Sequence, residues 1–346
     1  MLARHTKIDI GEYTAKLERY ITAFKYSDTI KSEADTAEIT LADNEHKLLS
    51  AGVIPAKNSA LNITIVKNNW NSQSLQGDSS LSLPLGSFEL DKLIYKGVPT
   101  ELILKLTSVP SKKGLRGVVR NKAWENTTLN QVAADIAGRA GLKLFYDAEN
   151  IEVERVEQNQ PDLPFLKTLC KNNGLNLKIA DGKLIIFDIE KYEKNSPVIT
   201  LSPNLPIIKN FNFEANSADI YSGANVNFLP NGISDLLSDF GVDLGDFGGL
   251  LNDFAGTDDG GDTLNINEHI ATVAEGERLK KSLLHEKNKN EWKVRFTLSG
   301  SFSFLAGNTF QVEGYGFFNG RYLIESSEHN ISNGYTTNVT AYRVEG

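Results

Sequence analysis

Apolar and polar positions alternate along the first third of this chain. In Leu61-Asn62-Ile63-Thr64-Ile65-Val66 the apolar side chains fall at every second position, the signature of a strand with one face against a core. Runs rich in β-branched and aromatic residues at 20–26, 37–41, 88–95 and 101–107 read the same way, with Gly, Pro, Asp and Asn in the gaps. Up to about residue 120 the pattern predicts many short strands around one core, a barrel or a sandwich. The polar stretch 68–78 predicts a loop.

From about residue 121 to 188 the period changes to that of a helix. Thr128-Leu129-Asn130-Gln131 has the form of a capping box, in which the threonine hydroxyl takes an orphan N–H and Gln131 reaches back. Leu129, Val132, Ala133, Ile136, Ala137 and Ala140 then share one face, and Gly141 supplies a left-handed cap. A strand is predicted at 142–146. A second helix is predicted from Asp162, with Leu163, Leu166, Leu169 and Cys170 inward and its end at Gly174. Strands at 175–179 and 184–187 flank Asp181-Gly182, a hairpin signal. The unit reads as helix, strand, helix, hairpin, a small α+β module.

From residue 196 the chain returns to β. Short strands are predicted at 199–201, 208–213 and 221–228, and a weakly amphipathic helix at 268–289. Trp292, Val294, Phe296 and Leu298 alternate with Lys293, Arg295 and Thr297, a half-buried strand. The last forty-odd residues read as a meander whose final two strands meet across Asn333-Gly334, a dipeptide suited to the positive φ values of a two-residue hairpin.

Residues 229–264 break the pattern. They hold eight Asp, eight Gly and no Lys or Arg. Ile233, Leu236, Leu237, Phe240, Leu244, Phe247, Leu250, Leu251 and Phe254 nevertheless recur at steps of three and four. Glycine in a helix interior costs about 1 kcal/mol, so one long rigid helix is not expected. Four readings stand: a surface loop with a short helix, a segment that orders against a partner or lines a lumen, a calcium loop, or a membrane-contacting helix. The calcium reading lacks the ligand alternation of an EF-hand, and the membrane reading lacks a basic flank.

Composition narrows function more than fold. The 346 residues carry a formal net charge of −8. Lys112-Lys113 and Lys280-Lys281 are short solvated runs, so no sequence-specific nucleic-acid binding is expected. An acidic wall would let DNA slide past. No apolar run is long enough to span a bilayer, so no membrane insertion by the chain itself is expected. Residues 1–11 lack the features of a signal peptide. One cysteine, Cys170, cannot form a disulfide within the chain, which fits folding and assembly in a reducing cytoplasm. The five histidines lie too far apart in sequence for zinc spacing, and Cys170 reads as a buried thiol on a helix face. His329 reads as a packed or surface residue. No nucleophile elbow, P-loop or zincin motif is present, and chance pairs among 44 acidic residues cannot support a glycosidase. Trp70, Trp124 and Trp292 are scattered and read as packing residues. No catalytic, cofactor-binding or metal-binding residue is expected.

Two stretches carry a resemblance. The order Ala306-Gly307-Asn308-Thr309-Phe310-Gln311-Val312, Phe318-Asn319-Gly320-Arg321-Tyr322-Leu323-Ile324, His329-Asn330-Ile331, Gly334-Tyr335-Thr336-Thr337 resembles the C-terminal barrel of the phage late control D family, the central hub proteins of contractile tails. Gln158 to Leu169, followed by Asn173-Gly174-Leu175, resembles the module of phage hub proteins and of the VgrG spike proteins of type VI secretion: a glutamine, an acidic N-cap, a Phe-Leu pair and a closing glycine.

The resemblance implies a mainly β fold with an α+β part: two related β-barrel-like domains at 1–120 and 196–346, the second with the 229–264 insertion, flanking a module at 121–195. It implies a non-enzymatic homotrimer whose six barrels form a pseudo-sixfold ring in the tail baseplate of a virion or phage-like particle. The expected partners are a tail-tube or tube-initiator protein, other baseplate proteins, and a separate spike protein, since the sequence ends at Gly346 directly after the barrel. Phe317, Phe318, Gly320 and Tyr322 read either as turn and core residues of one barrel or as an interface. Phe240 and Phe247 are the insertion's candidates for a partner or channel contact. The rival reading is a tail-associated cell-wall hydrolase.

Overall fold

In a computed structural model of the protein, residues 6–31, 34–50, 52–56, 58–68, 80–110, 114–218, 220–226, 263–266 and 273–344 are described. The first part contains β1 (Thr6–Asp9), a short helix α1 (Thr14–Leu17), β2 (Ile21–Thr29), β3 (Thr36–Ala42), β4 (Ala60–Asn68), β5 (Ser80–Lys96) and β6 (Glu101–Thr107). The strands are antiparallel in the order β1-β4-β5-β6-β3-β2. Alternation does what the sequence predicts: Ile39 and Leu41, Leu61, Ile63 and Ile65, and Leu102, Leu104 and Leu106 all point into one core. Strand β5 is longer than the apolar pattern shows. It begins in the half-exposed Leu81 and Leu83 and bends where the register shifts beside Gly86, whose φ is +88°.

The module contains β7 (Lys122–Thr128), α2 (Leu129–Ala140), β8 (Lys143–Asp147), β9 (Glu152–Gln158), α3 (Asp162–Asn172), β10 (Asn176–Ala180), β11 (Lys183–Phe187) and α4 (Ile189–Glu193). Both halves of the capping box form at α2: Gln131 N–H donates to the Thr128 hydroxyl, and the Gln131 side chain accepts from Thr128 N–H. Gly141 closes the helix at φ +63°. Strands β10 and β11 join through Asp181 and Gly182, both at positive φ, and β8 lies parallel to β11. Helices α2 and α3 cover this three-stranded sheet, with Leu166, Cys170, Ile136 and Leu184 at the centre of its core.

One expected detail of the module differs. The N-cap of α3 is Pro161, and Asp162 is the first helical residue. Its buried carboxylate does other work: it accepts two bonds from Arg139, one from Arg120 and one from Gln158 at 2.8 Å. Gln158 in turn accepts the Trp124 indole N–H at 3.3 Å. Burial pushes the Asp162 carboxyl up, but the Arg139 and Gln158 hydrogen bonds and the two guanidinium charges outweigh it and hold it below the usual range. The glutamine and the acid of the pattern are thus one buried network joining α2, α3 and β9.

The last part contains β12 (Thr200–Leu201), β13 (Ile208–Ala215), β14 (Gly223–Val226), β15 (Thr263–Ile266), α5 (Val273–Asn288), β16 (Trp292–Ser299), β17 (Thr309–Val312), β18 (Gly320–Ile331) and β19 (Tyr335–Val344). Strands β18, β19, β16 and β13 run side by side, with β17 on β18 and β12 on β17. Val294, Phe296, Leu298, Phe310, Tyr322 and Ile324 fill the core.

The two β parts are one sheet. Strand β18 pairs with β17 over Gly320 to Leu323 and, past a register shift, with β2 over Ser326 to Ile331. A strand has two edges. With β19 on its other side, β18 spends both edges and spans both parts, while β2 is filled by β3 and β18 and is not free to bond back to β1. Among the described residues the twelve-stranded ladder is therefore open, ending at β1 and β13, and does not close into hydrogen-bonded barrels. Ile331 and Tyr335, at the tip of the terminal hairpin, belong to the core of the first part.

The turn at that tip also differs from the two-residue hairpin. Ile331 pairs with Tyr335 across a three-residue loop, Ser332 N–H donates to Gly334 C=O at 2.9 Å, and neither Asn333 nor Gly334 is among the residues at positive φ.

Candidate assembly surface

Between β17 and β18 the chain makes a tight turn through Gly314 and Gly316, both at positive φ, and a single 3-10 turn over Gly316–Phe318. Asn319 fixes it, its side-chain carbonyl accepting Tyr315 N–H at 2.8 Å. Tyr322 supports it from beneath. Its ring is fully buried and stacked on Phe310, and its hydroxyl donates to Phe318 C=O at 2.9 Å. Burial raises this hydroxyl above its ordinary value against the opposing charge of Arg343. Gly320 stands at φ +149° with the Arg343 side chain where a Cβ would point, 3.0 Å away. The Arg343 guanidinium lies over the Trp292 ring at 3.9 Å.

The turn presents Phe317, which is 70% exposed and 4.5 Å from the Trp292 ring. Phe318 is half-buried between Trp292 at 5.9 Å and Phe213, on which it stacks at 4.9 Å. Tyr315 contacts both Phe213 and Phe211, at 4.9 Å and 5.1 Å, and Phe211 is 48% exposed. The result is a row of aromatic rings from Phe317 to Phe211, laid across β16 onto β13, the end of the ladder. Among the described residues β13 ends the ladder on this side, so these large rigid side chains stand beside a strand edge.

Of the residues picked from sequence, Phe317 and Phe318 are together at this surface and Tyr322 holds it from the core. Phe240 and Phe247 lie outside the described residues. Trp292, Phe211, Phe213, Tyr315 and Arg343 were not picked. The alternation Asn210-Phe211-Asn212-Phe213 was the available signal, since it sets two phenylalanines on one face of a strand.

Two titratable groups away from this surface, Cys170 and His329, are buried. Cys170 is fully buried and burial pushes its thiol far up, which disfavours the thiolate. His329 is buried against the Tyr335 hydroxyl at 2.7 Å and burial lowers it to about 4. Among the described residues no group of three or more His, Cys, Asp or Glu side chains could hold a metal ion, and no helix is long and apolar enough to cross a membrane.

No family model matches the chain, and no curated protein matches it in sequence. Solved structures do match in shape. A tail protein from Neisseria meningitidis is similar at TM-score 0.67 and 12% identity, over 98% of this chain and 96% of that one. The 43 kDa tail protein of prophage MuSo2 from Shewanella oneidensis is similar at TM-score 0.65 and 12% identity, over 98% of both chains. An Escherichia coli component of the type VI secretion system, described as structurally similar to the phage T4 tail proteins gp27 and gp5, is similar at TM-score 0.55 and 12% identity, over 98% of this chain and 77% of that one. The chain has the fold of these phage tail and type VI proteins.

Proposed function

We propose that the protein is a structural baseplate hub of a phage tail or phage-like contractile injection machine. The observation that carries this reading is the end-to-end likeness to two tail proteins, each covered almost completely. The hub is a homotrimer made of the two β domains and the module, and its ring joins a sixfold tail tube to a threefold spike supplied as a separate chain. It acts by shape and symmetry, reusing one surface on each copy, and not by catalysis. The aromatic row ending at Phe211 and Phe317 is its subunit contact. Phe240 and Phe247 serve a second contact, with a partner or the channel. Its place is the tail baseplate, assembled in the bacterial cytoplasm with tube-initiator and other baseplate proteins.

Light scattering on the purified full chain tests this. A mass of three chains with ring-shaped particle images is the expected result. A monomer that stays monomeric on adding the candidate spike chain rejects it, and clearing on a peptidoglycan zymogram points to the hydrolase.

A further inference from the structure

A second cluster lies where the three parts of the chain meet. Asp28, near the end of β2, faces Ser327 of β18, and its Oδ2 accepts the backbone N–H of Ala306 at 2.9 Å. Its Oδ1 bonds the ammonium of Lys178, carried in from β10 of the module. The same ammonium lies 2.8 Å from Oδ1 of Asp35, just ahead of β3, while Asp35 Oδ2 accepts the Tyr26 hydroxyl at 3.2 Å. Both carboxylates are buried, and Lys178 is nearly so. The seam continues in the backbone. Ser108 N–H donates to Asp35 C=O at 3.0 Å, the Ser108 hydroxyl donates to Ile179 C=O at 2.5 Å, and Ala34 bridges to Ile179.

The charges at this seam do not balance when all three groups are ionised. Two carboxylates share one ammonium away from water, which leaves one buried negative charge. Like charges sharing a site, and a buried charge without a counter-ion, are both unfavourable, so one proton belongs there. Among the described residues, the titratable groups that face Asp35 are Lys178 from β10 and Tyr26 and Asp28 from β2. Ser108, following β6, brings only neutral groups. His329 of β18 packs on Tyr26 at 5.8 Å and is kept neutral by burial. Burial, then the Asp28 charge, push the Asp35 carboxyl up to about 7 against the pull of Lys178. Burial works against the Lys178 charge, but the two carboxylates outweigh it and raise the ammonium above its usual value.

We propose that Asp28, Lys178 and Asp35 form a proton-dependent latch: with one carboxyl protonated the triad clamps the module to the joined sheet, and with both ionised the clamp loosens. The Asp35 carboxyl titrates higher folded than unfolded, where about 3.9 is usual. Its contribution is therefore complete below about pH 4, declines as the pH rises toward 7, and is lost above that.

Melting of the full chain and of Asp35→Asn between pH 5 and pH 8, with hydrogen exchange at the Ser108 and Ala306 amides, tests the latch. The variant's lead in melting temperature is expected to grow by about 2 °C or more from pH 5 to pH 8. The ratio of wild-type to variant exchange at the two amides should rise several-fold from pH 5 to pH 8. Parallel melting curves with the same exchange ratio at both pH values overturn the proposal. Lys178→Met reads the same latch from the other side, because the two buried carboxyls then have no ammonium between them. Its loss of melting temperature from pH 5 to pH 8 should exceed that of the wild type, and an equal or smaller loss also overturns it.

Discussion

Gly300 follows β16 beneath the ring of Tyr335, and a Cβ built there would meet ring carbons 2.1 Å away. Tyr335 is 2% exposed and held in place by its hydroxyl bond to His329, so the ring has little room to move. The same glycine's carbonyl accepts the Lys67 ammonium at 2.5 Å, and that ammonium also lies 4.4 Å from the Phe302 ring. Lys67 is on β4 and Tyr335 on β19, so this one missing side chain lets the terminal hairpin settle into the first core. Gly300→Ala is expected to cost about 3 kcal/mol through overpacking, read as a lower urea midpoint at unchanged slope. An unchanged midpoint would show that the hairpin tip relaxes freely.

At the scale of elements, helix α5 is anchored through a shared carboxylate. Glu193 Oε1 of α4 accepts the Tyr342 hydroxyl of β19 at 2.7 Å and lies 2.7 Å from His285 Nε2. Lys289, just past the helix, reaches buried Glu325 at 3.1 Å. Burial lowers His285, but the Glu193 hydrogen bond and charge outweigh it and raise it above its usual value. The ion pair's contribution is complete below about 6.5, the unfolded value, and is lost as the pH rises through the raised folded value. The melting-temperature gap between wild type and His285→Gln is therefore expected to narrow from pH 6 to pH 8. A gap that stays constant means the histidine acts by packing alone. The neighbouring module hairpin is held differently. Asp181 sits so close over Gly86 of β5 that a Cβ there would come within 2.6 Å, which makes the bulge of β5 the seat of that turn.

At the scale of the whole molecule, the ladder formed by the described residues ends at β13, with aromatic rings along it. A ring of subunits needs a repeated contact, and a strand edge flanked by exposed Phe211 and Phe317 is suited to one. On the proposed hub reading, Phe211→Ser with Phe317→Ser is expected to shift the solution mass from three chains toward one. The melting temperature of the monomeric form should change little, since each ring is about half or more exposed. A trimer that survives both substitutions moves the contact elsewhere on the chain.

Local chemistry was legible in the residues themselves. Thr128 and Gln131 cap α2, Gly141 ends it, Asp181 and Gly182 turn the module hairpin, and Leu61, Ile63 and Ile65 face inward, because each depends on neighbours a few positions away. Strands β7 and β9 were not legible: they form a two-stranded ribbon that sets only Trp124, Val153 and Val156 against the module's core, too few apolar positions to make an alternation. The turn at Asn333-Gly334 shows tertiary context overriding local preference, since Tyr335 is committed to the first core and the loop takes three residues to deliver it. Sequence by itself determined most of the strands and helices that have a buried face, and which face that is. Tertiary structure alone decided that β2 and β18, some 300 residues apart, make one sheet, that Lys178 falls between Asp28 and Asp35, and that scattered aromatics line one edge. These are pairings between distant segments, and no periodicity within either segment records the identity of its partner.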